Sequence, residues 1–120
     1  MKEEIFLLKI EDMKKKQKLL INKQKFLKRL KELKNWDEKE SNLNFIKKQV
    51  LEMRELPYVY FVEEDQYSLE WDSFGKYDYI EINVNFNEKK FCIFYSVDLN
   101  SDFKFFDFGV NLKEIIEEVL

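Results

Sequence analysis

At 120 residues, 45% hydrophobic and 38% charged, the chain is long enough for one packed domain and predicts a heavily ionic surface. The absence of histidine excludes Ser-His-Asp and Cys-His catalysis and removes the commonest transition-metal ligand, and the single cysteine excludes an internal disulfide. The net charge of −3 divides unevenly: residues 1–56 carry 16 Lys and Arg against 10 Asp and Glu, a net of +6, while residues 57–120 carry 5 against 14, a net of −9.

Aromatic residues follow the same division, with 4 before Pro57 and 16 from Tyr58 onward. Alanine and threonine are missing as well, while Asn, Lys, Ile, Phe and Tyr are plentiful. That bias fits an A/T-rich genome, bacterial or phage. No run approaches the ~18 apolar residues of a membrane span. Met1-Lys2-Glu3-Glu4 lacks the basic start of a signal peptide, and a lone Cys92 fits a reducing compartment, so the expected location is cytoplasmic.

Residues 3–35 predict helix. Phe6, Ile10, Met13, Leu20, Leu27, Leu30 and Leu33 recur at three-to-four spacing among lysines, with no interior Pro or Gly. Leu19-Leu20-Ile21 changes the apolar face, so the helix is either continuous or broken near Asn22. Trp36 to Asn42 reads as a polar loop, with Ser41 or Asn42 as N-cap of a second helix over 43–55 that Pro57 stops. Tyr58 to Val62 suits a first strand, closed by Glu63-Glu64-Asp65.

Tyr67 to Val97 then reads as three antiparallel strands with period-2 alternation. A four-residue loop at 73–76 sets Leu69 opposite Ile80 and Tyr67 opposite Ile82. A two-residue loop at 87–88 sets Ile82 opposite Ile93 and Val84 opposite Phe91. Both registers put their apolar rows on one face. The other face then carries Ser68, Glu70, Asp72, Tyr77, Tyr79, Glu81, Asn83, Cys92, Phe94 and Ser96. Residues 98–102 read as a loop, Phe103 to Phe108 as a further strand, and Asn111 or its predecessor as the cap of a last helix.

The whole predicts a single α+β domain: N-terminal helices (1–56) on one face of a four- or five-stranded antiparallel sheet (57–108), then a short C-terminal helix (110–120). Leu27, Leu30, Leu33, Trp36, Pro57, Leu69-Glu70-Trp71 and Ile80-Glu81-Ile82 together resemble a set of small uncharacterised bacterial proteins. Those have a leucine-spaced helix ending near Trp-Asp-Gly, a helix before Pro, and a Leu-Glu-Trp strand hairpinned to an Ile-Glu-Ile strand. The resemblance covers residues 27–95 and implies a fold and no activity. The chain departs from it at Asp37-Glu38 and at Glu64-Asp65-Gln66, where glycines are expected.

Carboxylates are the only abundant catalytic material. Glu70, Asp72 and Glu81 share a predicted face and are candidates for acid–base work or Mg²⁺ binding, although alternating acids also mark a solvated sheet face. Asp98, Asn100 and Asp102 alternate like a calcium loop but lack its glycine and distal glutamate. Cys92 has no histidine to activate it and reads as a small packed residue. Trp36 and Trp71 read as core anchors. Phe103, Phe105, Phe106 and Phe108 place aromatics on both faces of their strand, which is either covered on both sides or awaits a partner. No phosphate-binding glycine loop or dinucleotide fingerprint occurs.

These features favour a non-enzymatic protein-binding module without cofactor or metal. A basic partner would meet Glu70, Asp72, Tyr77, Tyr79, Glu81 and Phe94. Small, acidic-surfaced, motif-poor chains of this kind are similar in general character to anti-CRISPR and other anti-defence inhibitors. Three alternatives stay open: a toxin-neutralising immunity protein, a carboxylate-based metal enzyme, and a nucleic-acid-binding module. The last would use Lys14, Lys15, Lys16, Lys18, Lys25 and Arg29 on phosphates. The same helix is also a candidate homodimer seam.

Overall fold

The computed structural model describes residues 2–34 and 39–119; side chains in the first helix are described for 9–11, 13, 14, 17 and 21–34, and at the C-terminal end as far as 117. The predicted Trp36–Glu38 loop lies outside these residues. Helix α1 (Lys2–Lys34) is unbroken, with no interruption at Asn22. At 1.5 Å per residue it is about 50 Å long. Among its described side chains, those that enter the core are Phe26, Leu30 and Leu33, in the last turns. Phe26 opens that row, and the neighbouring Leu27 is turned outward.

Helix α2 (Glu40–Val50) starts and ends earlier than the sequence predicts. Neither Ser41 nor Asn42 is its N-cap. Lys39 holds that position, and its carbonyl accepts from the Asn42 and Leu43 amides. The Asn42 side chain instead crosses to the β1–β2 turn, where its Nδ2 donates to Asp65 Oδ1 at 2.9 Å. Lys39 Nζ meets the other oxygen of Asp65 at 2.9 Å. These bonds, Lys39 first, hold the Asp65 carboxyl below its ordinary value. At the other end of α2 the chain turns out of the helix, and Met53 is buried beside Val50.

Five strands follow: β1 (Tyr58–Glu63), β2 (Gln66–Trp71), β3 (Tyr79–Asn85), β4 (Lys90–Val97) and β5 (Asn100–Asp107). They form one antiparallel meander in chain order. The β3–β4 register is as the alternation predicts, with Ile82 opposite Ile93 and Val84 opposite Phe91. The β2–β3 register is displaced by two residues: Leu69 lies opposite Ile82 and Tyr67 opposite Val84. The cause is the connection. Phe74 and Tyr77 make a bridge of their own, exchanging backbone bonds of 3.1 and 2.9 Å, and Gly75 between them adopts φ +57. Both rings are buried, so the loop takes up residues 72–78 instead of four. A shift of two preserves side-chain parity, and the apolar row stays on one face.

That face is the core. Tyr67, Leu69, Trp71, Ile80, Ile82, Val84, Phe91 and Ile93 are buried, and Leu43, Ile46 and Val50 of α2 join them from the helical layer. Trp71 is a core anchor, its indole N–H donating to the Glu55 carbonyl at 3.0 Å. At one end Phe45 stacks on Phe108 at 4.6 Å and meets Phe86 edge-on at 5.4 Å, tying α2 to the sheet. Helix α3 (Leu112–Glu114) is capped by Asn111, whose side chain accepts from the Glu114 amide, and continues as a π-helical turn, Ile115–Val119. Leu112 and Ile116 close the core.

Residues 98–102 are not a loop. Asp98 and Leu99 alone form the turn, at φ 48 and 70, and Asn100 already pairs with Val97. The extra residues lengthen β5 to eight.

Candidate binding face

The side of the sheet away from the helices is built by the alternate residues of each strand. One cross-strand row runs through all five strands: Tyr58, Glu70, Glu81, Phe94 and Phe103. The next row is Tyr60, Ser68, Asn83, Cys92 and Phe105. Aromatic rings therefore stand at both margins, with carboxylates between them. The marginal rings are open to solvent, Tyr58 at 62%, Phe103 at 57% and Phe105 at 63%.

The centre is not a simple solvated surface. Ser68 is buried, and Glu70, Tyr79 and Glu81 are half-buried. The Ser68 hydroxyl lies 3.2 Å from Glu81 Oε1 and a looser 3.5 Å from Glu70 Oε1. Tyr79 packs edge-on against Phe94 at 6.2 Å. Its hydroxyl is raised to about 12, by burial first and then by the charges of Glu81 and Glu70, to which it is also hydrogen-bonded. The result is a two-carboxylate centre with two hydroxyl donors, framed by rings.

Four of the predicted partner-binding residues, Glu70, Tyr79, Glu81 and Phe94, come together here. Asp72 does not join them in the ladder; it lies one residue past the end of β2, exposed. Tyr77 is a correction. It is buried in the core beside Tyr95, ring centroids 5.7 Å apart, because the Phe74–Tyr77 bridge turns it inward. Tyr58, Tyr60, Phe103 and Phe105 stand outside the predicted partner-binding set, although Phe103 and Phe105 belong to the aromatic strand that the sequence marks as covered on both sides or awaiting a partner. Their signal is the strict alternation of β1 around Val59 and of β5 around Lys104, legible once the outer hairpins are counted in register.

Cys92 lies on this face, partly buried. Burial, and then the Glu81 charge, push its thiol up, which disfavours the nucleophilic thiolate. Among the described residues no group of three or more Cys, Asp or Glu side chains is placed to share one metal ion. Asp98, Asn100 and Asp102 stand on a turn and a strand instead of curling into a loop.

Of the basic candidates on α1, Lys14 and Lys25 are exposed, and the side chains of Lys15, Lys16 and Lys18 lie outside the described residues. Arg29 is engaged within the fold. Its Nε donates to the Val59 carbonyl at 2.9 Å, and its Nη1 lies 3.6 Å from Glu32. Among the described residues no helix is long and apolar enough to cross a membrane. No protein family, curated protein or solved structure matches the chain.

Proposed function

We propose that the protein is a non-enzymatic binding module whose uncovered sheet face docks on a basic protein partner in the cytoplasm. The observation that carries this reading is the row Tyr58–Glu70–Glu81–Phe94–Phe103. Rings that stay exposed supply apolar area and rigid anchors, and a carboxylate pair between them selects positive charge. The favoured partner class is a nucleic-acid-handling bacterial defence enzyme. Its channel is lined with basic side chains, which a carboxylate surface can occupy in place of phosphate. This is the anti-CRISPR-like reading of an acidic, motif-poor chain.

The test uses Glu70→Gln with Glu81→Gln, which removes both charges and keeps acceptors for Ser68 and Tyr79. Tagged wild-type and variant protein are used for pull-down from bacterial cells, followed by mass spectrometry. A basic protein enriched by the wild type and lost by the variant is expected. Surface plasmon resonance should then show slower association for the variant, most clearly at low ionic strength. Equal enrichment, or equal association by a folded variant, removes the sheet face from consideration.

A second reading has its own support. The described residues of α1 before Phe26 are exposed or half-buried, so a basic helix is presented away from the core. Lysines so placed suit phosphate contacts that do not read sequence. Lys14→Glu with Lys25→Glu separates the readings: it should leave binding of the basic partner intact. DNA or RNA binding that falls steeply with salt, and is lost in this variant, would assign the function to α1.

A further inference from the structure

The two edges of the sheet are treated differently. On β1, α1 lies alongside and Arg29 satisfies the Val59 carbonyl. On β5, β4 is the only neighbouring element among the described residues. β5 is eight residues long, free of proline, and exposed at every position but Phe106. An edge of that length is a ready template for another strand.

The direction of its free backbone groups is fixed by the Asp98–Leu99 turn. Positive φ at both residues makes this a two-residue type I′ hairpin, in which the closing pair, Val97 and Asn100, exchanges both backbone bonds. Asn100, Asp102, Lys104 and Phe106 therefore turn their backbone groups toward β4. Ser101, Phe103 and Phe105 turn theirs outward. The Phe103 amide agrees: it donates to the Asp102 side chain, Oδ1 at 2.8 Å.

We propose that β5 pairs antiparallel with β5 of a second copy across a twofold axis at Phe103, joining two five-stranded sheets into one. This register places Asp102 opposite the partner's Lys104, and Lys104 opposite the partner's Asp102. Such non-hydrogen-bonded pairs bring side chains closest, and opposite charges there are favourable. It also sets Phe103 against its symmetry mate and Ser101 against the partner's Phe105, so exposed rings gain cover. An axis at Phe105 would leave Lys104 facing the partner's Phe106. An axis at Lys104 would bring two lysines directly opposite each other, a like-charge pair. In the single chain, the Asp102 carboxylate occupies the Phe103 amide that a partner strand would take, with its other oxygen 3.5 Å from the Tyr95 hydroxyl. Pairing moves this carboxylate to the partner's Lys104 and gives the amide to the partner's backbone. The axis is perpendicular to the sheet, so both binding faces point the same way. The proposal does not rest on what those faces bind.

Sedimentation equilibrium over a concentration series should show the wild type rising from 14.8 kDa to twice that mass. Lys104→Asp places two acids opposite each other and should weaken the dimer about tenfold or more. Adding Asp102→Lys to it restores both pairs with the signs exchanged, and should restore association. Phe103→Cys places two thiols at the axis, within disulfide reach, and mild oxidation should give a covalent dimer absent from the wild type, whose Cys92 serves as control. A wild type that stays monomeric overturns the proposal. So does a dimer indifferent to Lys104→Asp, which would place the interface elsewhere, on α1 for example.

Discussion

Glu70 and Glu81 face each other across β2 and β3, with the Ser68 hydroxyl within reach of both. Like charges directly opposite on a sheet are destabilising. Removing one charge while keeping its shape should therefore strengthen the fold. Glu81→Gln is expected to raise the free energy of unfolding by about 0.2–1 kcal/mol. Urea denaturation at neutral pH measures it. If the face binds a basic partner, the same variant gains stability and loses association, a trade familiar at binding surfaces.

Tyr79 provides a test at the alkaline end. Its hydroxyl is raised from 10.0 to about 12 in the fold, so the folded protein holds this proton longer than the unfolded chain. The contribution is fully present below pH 10.0 and is lost as pH rises toward about 12. Wild-type stability should decline across that window more steeply than that of Tyr79→Phe, measured by urea midpoints at successive pH. Ultraviolet titration of the six tyrosines should lose a late-ionising component in the variant.

Asp65 predicts the acid side. Its carboxyl is held below 3.8 by Lys39 first and Asn42 second, so the stability it provides is present above that value and is lost as pH falls through its folded one. Asp65→Asn keeps a residue type that tolerates the φ of 61 and removes the titrating group. Its acid denaturation curve should be shallower than the wild type's in this window. Circular dichroism follows both.

Ile82 lies between Leu69 and Ile93 in the centre of the core and is fully buried. Ile82→Ala should cost about 2–5 kcal/mol, for lost transfer and the cavity left behind. Equilibrium urea unfolding is again the measurement. A cost near zero would mean that this face is solvated and the helices pack elsewhere.

The sequence made the sheet's faces legible, because alternation over β2 to β4 survives any even slip. It made one register legible in full. The β3–β4 turn is short, and Asn85 fixes it locally by accepting from the amides of Asn87 and Glu88. The β2–β3 connection hid its length because Phe74 and Tyr77 look like ordinary loop and strand residues until both find the core. That is why simple alternation assigns Tyr77 to the outer face, whereas the fold buries it. The Asp98–Leu99 turn was hidden as well: Leu99 is 98% exposed at a positive φ, where glycine or asparagine would have announced a hairpin. Without that turn, Phe103 could not be placed in the row of Glu70 and Glu81. The middle of the candidate site was therefore visible in the sequence, and its aromatic margins were not.

The meander has a kinetic consequence. Each strand pairs only with its neighbours in the chain, so the sheet can close hairpin by hairpin without bringing distant segments together, a topology that favours fast folding. The helices follow a different timetable. Phe26, Leu30, Ile46 and Val50 come off the ribosome ahead of the sheet they pack against. An amphipathic helix gains most of its stability from such packing. During synthesis, α1 and α2 must therefore wait with their apolar sides uncovered until β2 to β4 arrive, so the helices, made before the sheet, are secured only after it.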